Sequence, residues 1–175
     1  MVRRGSGALA EKSAAISQLY DQERHGLLRV ALLLVGDRGV AEDLVQEAFV
    51  ALQRRWDSLS DYSTAAGYLR VCVVNGARSV RRRWAVARRH LSSAEPASEP
   101  GADAAVLPAE EHHAVVLAVR RLPRRQQQVI VLRYWSDLSE AQIANTLGIS
   151  PGTVKSSASR ALAAVAQQLG DNHVQ

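Results

Sequence analysis

The chain has 175 residues, 47% of them hydrophobic, and carries a net charge of +5 at pH 7. This hydrophobic content is enough for a globular core, so the composition excludes a disordered protein, and the basic balance favours a polyanionic partner such as nucleic acid. The single cysteine, Cys72, excludes an internal disulfide and a structural cysteine–zinc site and indicates a reducing compartment.

The N-terminus has no segment typical of secretion. Residues 1–10 contain two arginines but no apolar run, and the longest apolar run, Val30–Val35, is too short to cross a bilayer. The sequence therefore predicts a soluble, cytoplasmic protein without membrane contact.

The first predicted helix follows a short tail. Residues 1–10 are rich in Gly, Ser and Arg and are expected to be disordered. An apolar stripe at helical spacing then runs from about Glu11 to Val35. Gly36 is expected to end this helix, and Asp37 to cap the next one.

The second predicted helix, Val40 to about Trp56, has two different faces. One is apolar, while the other mixes carboxylates, an amide, a valine and an arginine. This second face consists of Asp43, Gln46, Glu47, Val50 and Arg54. A valine within a polar face indicates a surface for a partner, although a solvated face with one stray valine remains the alternative.

A polar loop separates this helix from an arginine-rich one. The loop consists of Asp57, Ser58, Leu59, Ser60, Asp61, Tyr62 and Ser63. The following helix is expected from Thr64 or Ala65 to Arg88, and Arg70–Arg89 contains seven arginines and no acidic residue. Its polar side carries Asn75, Arg78, Ser79, Arg82 and Arg83. Such a face is typical of a nucleic-acid track, with a solvated structural helix as the alternative.

Composition changes abruptly at Leu91. Residues 92–109 contain three prolines and three acidic residues but no Lys or Arg, which is typical of a flexible linker. We therefore predict a helical domain over 11–90, a linker over 91–109 and a second helical domain over 110–172.

The second domain is predicted to contain four helices and to end in a helix-turn-helix. Two helices lie on either side of Leu122-Pro123, and the motif spans Asp137–Leu162. Ser139 and Gln142 form a capping box, and Gly148 is a helix stop. Ser150 and Pro151 then begin the last helix. No strand is predicted anywhere, so the expected fold class is all-α, with two small domains.

The last helix also has two faces. The side expected to pack inward consists of Val154, Ala158, Ala161, Leu162, Val165 and Leu169. Lys155, Ser156, Ser159 and Arg160 lie on the other side, which suits a helix in the DNA major groove. An ordinary solvated helix face is the alternative.

No catalytic or metal-binding constellation is visible. The chain has no Gly-rich phosphate loop, and His112 and His113 are adjacent, so they point to different sides of a helix. Asp43 and Glu47 form a carboxylate pair without a recognisable pocket. We expect no enzymatic activity, no cofactor and no metal.

Taken together, the two domains resemble a bacterial RNA polymerase sigma factor of the extracytoplasmic-function group, in the SigE-like form common in actinobacteria. The resemblance covers about residues 11–172. It is carried by the segments GDRGVAEDLVQEAFVALQRRW, AAGYLRVCVVNGARSVRRRW and LPRRQQQVIVLRYWSDLSEAQIANTLGISPGTVKSSASRAL. The first and third segments are the more specific.

The resemblance implies a role for each face. The helix with Asp43, Gln46 and Glu47 would bind the clamp helices of the polymerase β′ subunit, and the second domain would meet the β flap. The 57–63 loop would capture a flipped base of the minus-ten element. Asn75, Arg78, Arg82 and Arg83 would hold the separating strands. The minus-35 duplex would be read by Thr153, Lys155, Ser156, Ser159 and Arg160. An anti-sigma protein is a further candidate partner.

The chain departs from the family pattern at two places. Ser79 stands where many relatives carry Asp, which affects hydrogen bonding near Asn75. Ser157 and Ser159, expected to be exposed, leave few side chains long enough to read bases, so minus-35 recognition is expected to depend on DNA shape and phosphates.

Two other classes of protein remain as alternatives. A dimeric helix-turn-helix regulator would explain the C-terminal half but neither the EDLVQEAF helix nor the arginine-rich helix. An RNA-binding adaptor would explain the positive charge but not the turn motif.

Overall fold

The computed structural model describes residues 4–59, 61–90 and 110–172. These residues form seven α-helices and one 3₁₀ turn, and they contain no strand, so the all-α prediction is confirmed. The helices are α1 Arg4–Val35, α2 Arg38–Arg55, α3 Tyr62–His90, α4 Glu110–Arg121, α5 Arg124–Tyr134, α6 Glu140–Leu147 and α7 Pro151–Asn172, with the 3₁₀ turn at Trp56–Ser58. The predicted linker, 91–109, lies outside the described residues.

Helix α1 begins earlier than predicted. It starts at Arg4 rather than near Glu11, so residues 4–10, expected to be a disordered tail, are helical in the structure. Once the amphipathic part of a helix is packed, each further residue adds a hydrogen bond at little extra cost. Ala8 and Ala10 are strong helix formers and favour this extension.

The predicted helix ends are found in the structure. Gly36 takes φ 84° after α1, and the Asp37 carboxylate accepts a hydrogen bond from the Val40 N–H at 2.8 Å. Ser139 and Gln142 form the reciprocal capping box of α6, and Gly148 is left-handed with φ 64°. These motifs join residues only a few positions apart, which explains why sequence alone identifies them.

The loop between α2 and α3 is shorter than predicted. Asp57 and Ser58 belong to the 3₁₀ turn, and α3 begins at Tyr62 instead of Thr64 or Ala65. The earlier start follows from Asp61, whose carboxylate accepts hydrogen bonds from the Thr64 N–H and the Ser63 hydroxyl, both at 2.8 Å. Asp61 therefore caps the helix, as acidic residues at this position commonly do.

The helices form two groups that touch each other. Helices α1, α2 and α3 pack together as the first half, and α4 to α7 form the second half. Helix α1 also contacts α4 and α5, and α3 contacts α6. The buried apolar side chains form one cluster that continues through both halves. The halves are thus packed against each other within one core.

The packing of α7 corrects two expectations. Val154, Ala158 and Ala161 are buried as predicted, but Leu162 is 46% exposed and Ser157 is buried. At about 100° per residue, Leu162 and Ser157 lie on opposite edges of the arc defined by the other three residues. The packing against α4, α5 and α6 covers the Ser157 edge and leaves the Leu162 edge in solvent.

Candidate functional site

The polar face predicted on the second helix is a continuous exposed surface of α2. All five residues are exposed, and we call them the α2 face: Asp43, Gln46, Glu47, Val50 and Arg54. Val50 is 45% exposed, although the adjacent Phe49 is only 6% exposed. A half-exposed valine beside two carboxylates on a rigid helix suits contact with another macromolecule.

A groove that was not predicted from the sequence lies beside the α2 face. It has a volume of about 480 Å³ and lies between α1 and α2. Its lining residues are Ile16, Ser17, Tyr20, Asp21, Gln46, Phe49, Val50 and Gln53. The Tyr20 and Phe49 rings, which both line the groove, meet edge-on with centroids 5.0 Å apart. Because α1 reaches this place only through tertiary packing, the spacing of residues along α2 could not indicate the groove.

The predicted 57–63 loop is held by local and long-range contacts. Lys12 of α1 pairs with the Asp57 carboxylate at 3.3 Å, and the Ser58 hydroxyl donates to the Arg55 carbonyl at 2.8 Å. The hydrogen bond from the Thr64 N–H is the largest cause that lowers the pKa of Asp61, and the Ser63 hydroxyl adds to it. Ser60 and the Tyr62 side chain lie outside the described residues.

The basic side of α3 is divided between solvent and the second half. Asn75, Arg82 and Arg83 are exposed. Arg78 is half-buried: its guanidinium donates to the Asn75 and Gln128 side-chain oxygens, both at 3.4 Å, and to the Leu147 carbonyl at 3.3 Å. Burial lowers the pKa of Arg78, and the nearby Arg124 and Arg125 charges lower it further. The structure therefore places one predicted DNA-contacting residue against α5 and α6.

Gln127 is at the centre of a second contact between the halves. This contact was also not predicted from the sequence. This side chain is 1% exposed. Its Nε2 donates to the Leu33 carbonyl at 2.9 Å, and its Oε1 accepts from Arg81. Arg81 also donates to the Leu34 carbonyl at 3.0 Å. These carbonyls belong to the last turn of α1, where helix geometry leaves acceptors free and the helix dipole favours cations.

The residues predicted to contact DNA on α7 differ in exposure. Lys155, Ser159 and Arg160 are exposed, whereas Thr153 and Ser156 are half-buried. The Thr153 hydroxyl lies 2.9 Å from that of Ser150, and the Ser156 hydroxyl donates to the Thr153 carbonyl at 3.2 Å. The two half-buried side chains thus stabilise the start of α7, and the other three form its accessible polar surface.

The described residues contain neither a metal-binding cluster nor a membrane-spanning helix. Within 4–59, 61–90 and 110–172, no group of three or more His, Cys, Asp or Glu residues is arranged to hold a metal ion. In those ranges, no helix combines the length and apolar character needed to cross a bilayer.

Comparison with known proteins gives matches over both halves. Residues 19–86 match the family model "Sigma-70 region 2", and residues 112–165 match "Sigma-70, region 4". The chain is 38% identical to the RNA polymerase sigma-E factor of Streptomyces avermitilis, over 82% of this chain and 78% of that protein. It is 34% identical to the ECF RNA polymerase sigma factor SigL of Mycobacterium tuberculosis, over 95% of this chain and 97% of that protein.

A solved structure shares the fold. The sigma factor RpoE of Bartonella quintana, in complex with the anti-sigma factor NepR, superimposes with a TM-score of 0.68 at 22% sequence identity. The likeness covers 94% of this chain and 97% of that one.

Proposed function

The chain belongs to the sigma-70 family, in its extracytoplasmic-function group, and on this premise we propose how its surfaces divide the work of transcription initiation. It is a transcription initiation factor that directs core RNA polymerase to promoters. The dimeric-regulator alternative gains no support, since it leaves the region 2 match unexplained.

The α2 face is the proposed contact with the clamp helices of the β′ subunit. The observation that carries this assignment is the exposed Val50 beside Asp43 and Glu47. The neighbouring groove between α1 and α2 would extend the contact by accepting an apolar side chain of the partner. Under this proposal, the second half meets the β flap.

The minus-ten element is assigned to the 57–63 loop and the polar side of α3. Exposed Asn75, Arg82 and Arg83 can meet phosphates and unpaired bases at once, whereas Arg78 must first leave Gln128 and Leu147. Stabilising melted DNA in this way requires binding alone, so the proposed activity involves no covalent chemistry and no cofactor.

The minus-35 element is assigned to α7 as a duplex contact. Lys155 and Arg160 would reach phosphates or guanine edges, and Ser159 would let the backbone approach closely. Thr153 and Ser156 would contribute mainly by fixing the first turn of the helix. We include an anti-sigma protein among the proposed partners because the Bartonella relative is bound to one.

Run-off transcription tests the proposal directly. Purified protein is added to core polymerase on a set of supercoiled promoters, and transcripts are mapped. We expect initiation at defined start sites only when the protein is present. Silence with core polymerase, together with a dimer that shifts duplex DNA alone, would instead support the regulator.

A charge reversal tests the α2 face. Glu47→Lys replaces an exposed carboxylate at the proposed contact, and we expect at least about a tenfold loss of polymerase affinity, corresponding to about 1.4 kcal/mol. Glu11→Lys is the matched control, since it makes the same charge change at an exposed position of α1. Equal co-purification of both variants with core polymerase would disprove the assignment.

A further inference from the structure

A cavity lined by arginines lies where the two halves meet. It has a volume of about 450 Å³, and α3, α5 and the turn after α6 form its walls. We call it the arginine cleft and define it by Arg78, Ser79 and Arg82 of α3 and by Arg124, Arg125 and Gln128 of α5.

The positive charges of the cleft have no acidic partner in the described chain. The lining contains no Asp or Glu, and none of the four arginines pairs with a carboxylate in the described ranges. Arg124 is also held close to α3, because it donates to the Arg78 carbonyl at 2.6 Å. Besides its burial, the Arg124 and Arg125 charges lower the pKa of Arg78, so these like charges repel each other and an anion in the cleft would relieve the repulsion.

Several donors remain available to an anion. Arg82, Arg125 and Ser79 are exposed, and Arg124 uses one guanidinium N–H for the Arg78 carbonyl. A guanidinium presents paired N–H groups that match the oxygens of a phosphate. These donors come from both halves of the molecule, so one ligand can bridge α3 and α5.

The number of charges defines the class of ligand. A terminal phosphate carries about 1.5 to 2 negative charges at neutral pH, so two or three linked phosphates balance four guanidinium groups. The cavity volume excludes duplex DNA in this arrangement. We propose that the arginine cleft binds a small polyphosphate anion that bridges the two halves.

The proposed ligand would also affect promoter binding, a consequence that rests on the function proposed above. Arg78 and Arg82 line the cleft and are also assigned to the promoter strands. A ligand that requires both walls binds the arrangement in which the halves touch better than one in which they are separated, and therefore shifts the equilibrium towards the packed arrangement. Polyphosphate and melted promoter DNA would then exclude each other.

The test uses the full chain without polymerase, so it does not depend on transcription activity. Inorganic tripolyphosphate is titrated calorimetrically at constant ionic strength. We expect one saturable site, and Arg125→Ala should weaken binding about tenfold by removing a bidentate contact. Arg88→Ala, which removes the same charge from an exposed position of α3 outside the cleft, should change the affinity less than about twofold. Because Arg125 is exposed, its variant is expected to fold, which circular dichroism checks.

Two outcomes would overturn the proposal that the cleft binds a polyphosphate. Equal weakening by Arg125→Ala and Arg88→Ala would show diffuse attraction to a basic protein. Multiple weak sites would show the same. Failure of saturating tripolyphosphate to displace a single-stranded oligonucleotide from the protein would overturn only the competition with nucleic acid, which rests on the function proposed above. Small-angle scattering tests whether the ligand bridges the two halves. The radius of gyration should not increase on binding, and an increase would contradict bridging.

Discussion

Asp61 shows how one carboxylate sets the start of α3. Its pKa lies below the ordinary value of 3.8, chiefly because the Thr64 N–H donates to the charged form. A depressed pKa means that this group stabilises the fold above about pH 3.8 and that the contribution is lost as the pH falls through the folded-state pKa.

Asp61→Ala tests this at the level of stability. We expect a lower urea midpoint than in the parent protein near neutral pH, and we expect the difference to shrink on acidification below about pH 3.8. Ser63→Ala, which removes only one of the hydrogen bonds, should give an intermediate result. A difference between parent and Asp61→Ala that does not change with pH would contradict the role of the charged carboxylate.

Lys155 and Arg160 allow a test of the α7 surface with assembled holoenzyme. Each phosphate contact contributes a slope of about −0.9 to the dependence of log K on log salt. Replacing both residues by Ala should therefore flatten the slope for minus-35 DNA by about 1 to 2. Arg29→Ala, at an exposed site on α1, is the control for net charge and should leave the slope unchanged. An unaltered slope in the double variant would refute the assignment.

At the scale of elements, Gly76 sets the approach of α3 to α2. A Cβ at this position would lie 2.5 Å from Leu44 Cδ2, and Leu44 is buried. Gly67, in the same helix, would meet nothing within 4 Å. The two glycines therefore share a helical context and differ in packing.

Two matched substitutions, at Gly76 and at Gly67, test this difference in packing. Gly76→Val should lower the free energy of unfolding by about 1 to 3 kcal/mol, because overpacking displaces Leu44. Gly67→Val makes the same change in helix propensity without that contact and should be nearly neutral, within about 0.5 kcal/mol. Denaturant unfolding measures both. Equal effects would show that α2 and α3 can separate without cost at this point.

The elements also show how far sequence reasoning extends. The capping box of Ser139 and Gln142 and the Asp37 cap were predictable because each joins residues three positions apart along the chain. The Gly148 stop was predictable because it acts on one backbone angle. The partners of Arg81 were not predictable, because Leu34 and Gln127 lie 47 and 46 positions away. Gln127 gives no sign of burial in the sequence, since glutamine is usually exposed.

The candidate site divides in the same way. The α2 face follows from helical spacing alone, and the structure shows all five of its residues exposed. The groove beside it needs Tyr20 and Ile16 from α1, and the arginine cleft needs both halves. Faces of single helices can be predicted from periodicity, whereas cavities between helices depend on tertiary packing that periodicity does not encode.

At the scale of the molecule, Gln127 joins the two halves. Gln127→Ala would leave the Leu33 carbonyl and an Arg81 N–H without this partner, so we expect a loss of about 1 to 3 kcal/mol in the free energy of unfolding. Gln126→Ala is the neighbouring control, because that side chain is half-exposed and should cost less than about 0.5 kcal/mol. Equal losses in chemical denaturation would show that the buried contact does not stabilise the packing of the two halves.

The core that runs through both halves also affects how copies of the protein can associate at high concentration. Residues 110–172 of one copy can pack on residues 4–90 of another through the same surfaces that meet within a single chain. Two chains could therefore exchange their C-terminal halves and form a domain-swapped dimer without any new interface. A dimer isolated from a concentrated stock would then reflect this exchange, and would be no argument for a regulator that binds DNA as a symmetric pair.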